Sequence, residues 1–196
     1  MKAIIATVLV VLVVETAAAA SLIYSGLFNV AATDPHWSLT YAILESTRVR
    51  SVKVQAAGLK VPDDLADHKR VVEGTSHFAE HCSACHSAPG VEAGDVAKGM
   101  YPRPPPLADA AKQWSPSQMF WIIRNGIKMS GMPAWPDHSD QDIWNIVAFL
   151  GQLPNLSEQG YGDLIKESIQ SGGHKPHGSE PADQGCAPEH HAAGHC

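Results

Sequence analysis

Residues 79–90 read AEHCSACHSAPG, a stretch in which Cys82 and Cys85 are three positions apart and His86 follows directly. On a helix, side chains at positions i and i+3 lie on the same face. Two sulfurs so placed can reach the two vinyl groups at one edge of a haem, while the next residue points at the iron. The motif therefore predicts one covalently attached haem c, with thioether bonds from Cys82 and Cys85 and His86 as an axial iron ligand.

Two other chemistries for this motif are open, and both fit the sequence less well than a haem does. A zinc site needs four ligands, usually from two such pairs, but the remaining cysteines, Cys186 and Cys196, are ten positions apart near the C-terminus. A thioredoxin-type dithiol opens a helix in an α/β setting, and the sequence predicts no strands. The sequence therefore favours the haem.

The segments around the motif have the pattern of short helices separated by long loops. Residues 67–81 place apolar side chains at helical spacing and lead into the motif. Ser115, followed by Pro116, and Ser139 are good N-caps for two further helices. Residues 87–113 are rich in glycine and proline and predict an irregular segment. The expected fold is a small all-α domain.

A methionine is expected to be the second axial ligand, since a soft thioether favours ferrous iron. Met132 lies in SGMPAW, where Gly131 lets the backbone approach the haem and Pro133 stiffens the loop. We therefore expect Met132 to bind the iron, with Met129 as the runner-up. The remaining candidates are Met100, Met119, which is expected to be a core residue, and His138.

The pattern resembles a class I c-type cytochrome over residues 68–154. The residues that carry the resemblance are Cys82, Cys85, His86, Gly74, Phe78, Leu107 at the end of a proline-rich run, NGIKMSGMPAW at 125–135, and Trp144. The resemblance implies an all-α, cytochrome c-like haem domain. It also implies that the first and last helices cross, with Gly74 and Phe78 against Trp144 and Leu150.

Some polar residues outside the motif have a possible role at the haem. Arg103 lies in the proline-rich run, and its rigid guanidinium fork suits pairing with a haem propionate. His77 and His81 precede the motif and could be a second ligand or tune the haem. The simpler interpretation, which we prefer, is that they are exposed histidines of the helix.

The first 30 residues are mostly apolar, and Lys2 and Glu15 are their only charged side chains. They predict either a cleaved signal peptide or an uncleaved membrane helix. We favour the anchor because apolar residues continue beyond the run of alanines at 17–20. We expect four segments along the chain: an anchor or signal segment at 1–30, an amphipathic helix and linker at 31–66, the haem domain at 67–155, and a flexible tail at 156–196.

The tail contains side chains that bind transition metals. These are His174, His177, His190, His191, His195, Cys186 and Cys196. A metal ion on the tail is one hypothesis, and a solvated tail, with or without a disulfide between its two cysteines, is the favoured one.

The formal net charge is −6, and no basic stripe with interleaved aromatics is present, so no nucleic-acid partner is expected.

Together these features predict an electron carrier rather than an enzyme. We expect the haem domain to face the periplasm from the bacterial inner membrane and to exchange electrons with redox protein partners. It would act as a tethered carrier or as the electron-transfer subunit of a respiratory or dehydrogenase complex. The alternatives are a haem enzyme or ligand sensor with an open sixth position, and a redox-linked metal-handling protein that uses the tail.

Overall fold

The computed structural model describes residues 1–172, and this part of the chain is helical with no strand. The helices are α1 (Lys2–Ser25), α2 (Ser38–Gln55), α3 (His68–His81), α4 (Ser83–His86), α5 (Asp95–Lys98), α6 (Leu107–Gln113), α7 (Pro116–Asn125), α8 (Asp140–Gln152) and α9 (Glu158–Gln170), with a 3-10 turn at Leu153–Asn155. The all-α prediction is confirmed, but the segment at 87–113, which the sequence predicts to be irregular, contains the short helices α5 and α6. Both predicted N-caps are present: the Ser115 and Ser139 hydroxyls accept hydrogen bonds from the third backbone amides of α7 and α8.

The chain divides into two compact units, and the first is Met1–Glu45. Its main element is α1, whose 24 residues are long and apolar enough to cross a membrane. The helix ends at Gly26, which adopts a left-handed conformation with φ of 69°. An apolar helix of this length at the N-terminus is consistent with membrane anchoring.

The second unit begins at Ser46 and is built around the crossing of α3 and α8. Gly74 sits at the crossing, where a Cβ atom would lie 1.9 Å from the backbone oxygen of Asn145. Phe78 and Phe149 are fully buried beside it, with ring centroids 4.8 Å apart. Trp144 stacks on Phe120 of α7 at 4.3 Å. The crossing and its glycine agree with expectation, but the ring paired with Phe78 is Phe149.

A polar network with Arg70 and Asn145 at its buried centre joins the two crossing helices. Arg70 on α3 donates to the Asn145 side chain on α8 at 3.0 Å and to both oxygens of Asp64 at 2.9 Å. The Asn145 amide donates in turn to Glu73 at 2.7 Å. Asn145 is only 2% exposed, so its polar atoms need these partners.

The end of α2 belongs to the same unit as the α3–α8 crossing. Val52 and Ala56 are almost completely buried there, at 1% and 2% exposure. The guanidinium of Arg48 lies 5.2 Å from the ring centroid of Trp114, a distance at which a cation attracts an aromatic face. The basic end of α2 therefore packs on the domain that follows it.

The expectation that regular structure ends near residue 156 is wrong for Glu158–Gln170, which forms α9. Ser157 caps this helix by accepting from the Gly160 amide at 3.1 Å. Tyr161 is buried, with its ring 6.3 Å from Phe78 and 6.1 Å from Phe149. A helix with so few apolar residues is stabilised mainly by its packing on the core, which a periodicity argument does not detect.

Replacing Gly74 by alanine is expected to lower the free energy of unfolding by roughly 3 kcal/mol or more, because the new methyl group overlaps the Asn145 backbone. Thermal or denaturant unfolding of the holoprotein measures the loss. Gly151→Ala on α8 is the matched control, since its added Cβ meets no atom within 4 Å. Equal stability of the two variants would contradict this account of the crossing.

Candidate functional site

The Cys-x-x-Cys-His motif occupies a single helical turn directly after α3. Cys82 ends α3, with its amide donating to the Phe78 carbonyl at 2.9 Å, and α4 runs from Ser83 to His86. The His86 amide donates to the Cys82 carbonyl at 2.9 Å, which closes the turn. No disulfide joins Cys82 and Cys85. The turn therefore presents two sulfurs and one imidazole from five consecutive residues.

The imidazole of His86 is oriented by a backbone carbonyl. Its Nδ1 lies 2.9 Å from the Pro105 oxygen, and since a carbonyl only accepts, Nδ1 must carry the proton. Nε2 is then left with a lone pair, the arrangement typical of histidines that bind metals. Burial lowers the pKa of His86, and the Pro105 hydrogen bond opposes this in part. The ring is therefore neutral at pH 7, the state that coordinates iron.

The sequence indicates a stiff proline-rich run but gives no signal that points to Pro105. Pro105 acts through its backbone oxygen. Because every residue has such an oxygen, the sequence cannot show which one accepts the hydrogen bond from His86. The helix-breaking prolines predict only that the segment is extended and stiff. The structure is needed to bring this carbonyl, 19 positions along the chain, to His86.

A pocket of about 320 Å³ adjoins the motif. Its lining residues are Cys85, His86, Ser87, Glu92, Ala93, Ala97, Lys98, Arg103, Pro104 and Pro106. The alanines and prolines supply apolar wall, and Arg103 and Lys98 supply positive charge. Such a pocket suits a flat apolar ring system that carries carboxylates. The residues present therefore fit a haem. Arg103 lines this pocket together with Cys85 and His86, and its pairing with a propionate stays a prediction.

The loop that carries Met132 is held against the end of α7. Gly126 ends α7 with φ of 63°, and a Cβ at this position would lie 2.5 Å from the backbone carbon of Pro133. The Ile127 amide donates to the Met132 carbonyl at 3.1 Å, and the Trp135 amide donates to the α7 carbonyl of Arg124 at 3.2 Å. The loop is therefore closely fixed at both ends.

The methionines differ clearly in their surroundings. Met132 is half-buried and packs against the core that contains Cys82, whereas Met129 is 86% exposed and has φ of 59°. Met119 is a buried core residue, as the sequence predicts. The Met100 sulfur lies close to Gly131, where an added Cβ would approach it to 2.7 Å. Met132 is not among the residues that line the pocket at His86.

The environment of Cys82 does not suit a redox-active dithiol. Burial, with a smaller contribution from Cys85, raises the pKa of Cys82 to about 12. Reactive dithiols need a lowered thiol pKa, because the thiolate is the nucleophile. Burial and the nearby Cys82 likewise raise the pKa of Tyr161 to about 12, so α9 contributes to the apolar surroundings of this cysteine.

Three histidines converge beside the motif, which the sequence did not predict. His77 and His81 on α3 meet His138, from the segment before α8, and their nearest ring nitrogens all lie within 4.8 Å of one another. The two positions on α3 are one turn apart, which is a signal in the sequence, but no pattern links them to His138. The metal-binding candidates of the tail, at 174–196, lie outside the described residues.

Comparison with known families decides what kind of domain this is. The family described as "Cytochrome C oxidase, cbb3-type, subunit III" has a model that matches residues 69–150. Residues 69–150 form a class I c-type cytochrome domain. The cytochrome domain is thus a haem-iron module for electron transport. No curated protein and no solved structure matches the chain.

Gly126→Ala in the cytochrome domain is expected to release the Met132 loop, because a methyl group there overlaps Pro133 and L-residues resist positive φ. We expect hydrogen exchange at the Ile127 and Trp135 amides to accelerate by roughly tenfold or more. The control is Gly99→Ala at the end of α5, where the nearest atom to the added Cβ is 3.7 Å away. Unchanged exchange in the Gly126 variant would contradict the role given to this glycine.

Proposed function

We propose that the cytochrome domain binds one haem c through thioether bonds to Cys82 and Cys85, with His86 and Met132 as the axial ligands. The observation that carries the proposal is the His86 hydrogen bond to Pro105, which leaves Nε2 available within a Cys-x-x-Cys-His turn. Burial of Met132 and exposure of Met129 support the choice of methionine.

When bound, the haem supplies an iron that gains or loses one electron. The residues of the chain hold and tune this iron without making or breaking bonds to a substrate. With His86 and Met132 both holding the iron, the haem would have no position open for a reacting ligand. Arg103 lines the pocket, where its guanidinium would pair with a haem propionate and favour the ionised carboxylate. The function that follows is outer-sphere electron transfer.

The N-terminal helix gives the carrier a location in this proposal. α1 crosses the bacterial inner membrane and is retained as an anchor, and the cytochrome domain faces the periplasm, where cysteines are joined to haem. The partners are redox proteins that donate and accept single electrons. The matched family is named for a subunit of a cytochrome c oxidase. This name favours an electron-transfer subunit of a larger complex over a separate tethered carrier.

Met132→Leu is expected to abolish the far-red sulfur-to-iron charge-transfer band of the ferric protein and to produce high-spin iron, because leucine has no donor atom. The absorption spectrum of the purified ferric protein measures both changes. Met129→Leu and Met100→Leu are the matched controls, and both should retain the band. A wild-type protein that lacks the band, or loss of the band in either control instead, would reject Met132 as the ligand.

Cys82→Ala is expected to reduce accumulation of folded protein by roughly tenfold or more. A domain of this size has a marginal core, and the proposed covalent haem completes it. Haem staining and immunoblotting of membranes measure holoprotein and total protein. Cys186→Ala makes the same chemical change outside the motif and should accumulate normally. Abundant folded apoprotein in the Cys82 variant would show that the fold does not depend on the haem.

A further inference from the structure

The three histidines beside the motif come from two separate parts of the cytochrome domain. His77 and His81 lie one turn apart on α3, and His138 lies in the segment between Met132 and α8. Ring centroids are 5.6 Å apart for His77 and His138, 5.3 Å for His81 and His138, and 6.3 Å for His77 and His81. One ring nitrogen of each histidine therefore lies within 4.8 Å of the corresponding nitrogens of the other two.

The surroundings of the three rings are half-buried and partly acidic. The His77 and His81 side chains are 31% and 28% exposed, so solvent reaches them. An Asp142 oxygen lies 3.7 Å from His77 Nε2, and a Glu80 oxygen lies 3.7 Å from His81 Nε2. Trp135 forms a wall, with its ring centroid 5.0 Å from that of His81 and 5.0 Å from that of His138.

We propose that His77, His81 and His138 bind one Zn²⁺ ion. Imidazole nitrogen suits zinc, whereas magnesium and calcium prefer oxygen ligands and monovalent copper prefers sulfur. Asp142 is within reach as a fourth ligand or as a partner that orients His77, and its carboxylate offsets part of the metal charge. No residue of this site belongs to the proposed haem-binding set.

The distances allow the three nitrogens to close around one ion. Zinc lies about 2.0–2.1 Å from histidine nitrogen in tetrahedral sites, which places two such nitrogens about 3.3 Å apart. The three nearest nitrogens here lie within 4.8 Å of one another, so the largest adjustment is about 1.5 Å. Rotation of a histidine side chain about χ1 and χ2 covers this distance without moving the backbone.

A metal at this point would join two segments that matter for the electron-transfer site. α3 leads directly into Cys82, and the His138 segment follows Met132 after five residues. Zinc binding would hold the two segments together and raise the temperature of unfolding in proportion to the logarithm of free zinc above its dissociation constant. The site does not depend on which methionine binds the haem.

The first test locates zinc on the full-length holoprotein residue by residue. Diethyl pyrocarbonate modifies accessible imidazoles, and mass spectrometry measures the modification rate of each histidine with and without Zn²⁺. We expect one equivalent of Zn²⁺ to slow modification of His77, His81 and His138 about tenfold or more, and to leave His68 on the same helix unchanged. Protection confined to histidines of the tail at 174–196 would reject the site.

The second test uses variants of the same holoprotein and isothermal titration with Zn²⁺. His77→Gln and His138→Gln should each weaken one zinc equivalent by about 100-fold or more, since even the loss of an outer partner costs 10–100-fold. His68→Gln is the matched control and should bind as the wild type does. Wild-type affinity in both cluster variants would overturn the proposal. If either variant is unstable, the diethyl pyrocarbonate experiment on the wild-type protein tests the zinc site by itself, because it needs no variant.

Discussion

Where α3 and α8 cross, the backbone of Gly74 lies against the carbonyl of Asn145, with no room for a side chain between them. This approach brings Phe78 and Phe149 into contact and buries Arg70 against Asn145. Because α3 continues into the Cys-x-x-Cys-His turn, the crossing also sets the position of the motif relative to the core. The position of the motif therefore depends on the contact between Gly74 and Asn145, although neither residue is proposed to bind the haem.

The two sides of the proposed iron site are positioned by different means. His86 belongs to a helical turn, and a carbonyl from the proline-rich segment sets the orientation of its ring. Met132 lies in a loop whose course is set by Gly126 and by two backbone hydrogen bonds, one between Ile127 and Met132 and one from Trp135 to Arg124 of α7. His86 is thus positioned by a short-range motif, whereas Met132 is positioned by the close approach of the Gly126 and Pro133 backbones.

The sequence predicts most of the fold because the responsible signals are local. The cysteine motif, the Ser115 and Ser139 caps and the apolar spacing of α3 and α8 each lie within a few residues. Three features that the sequence does not predict depend on partners far away in the sequence. They are the Pro105 carbonyl at His86, the approach of His138 to α3, and the packing of α9. Residue type and spacing describe one segment at a time, whereas these contacts exist only after the segments have assembled.

The packed core that includes helix α9 extends beyond the region that matches the family model. The matched region ends at residue 150, yet Tyr161 lies against Phe78 and Phe149, and Glu158 covers Gly90 just after the motif. A chain ended at the family boundary would expose two aromatic rings of its own core to water. Helix α9 thus covers one side of the hydrophobic interior, and the smallest piece that keeps this interior closed extends to Gln170.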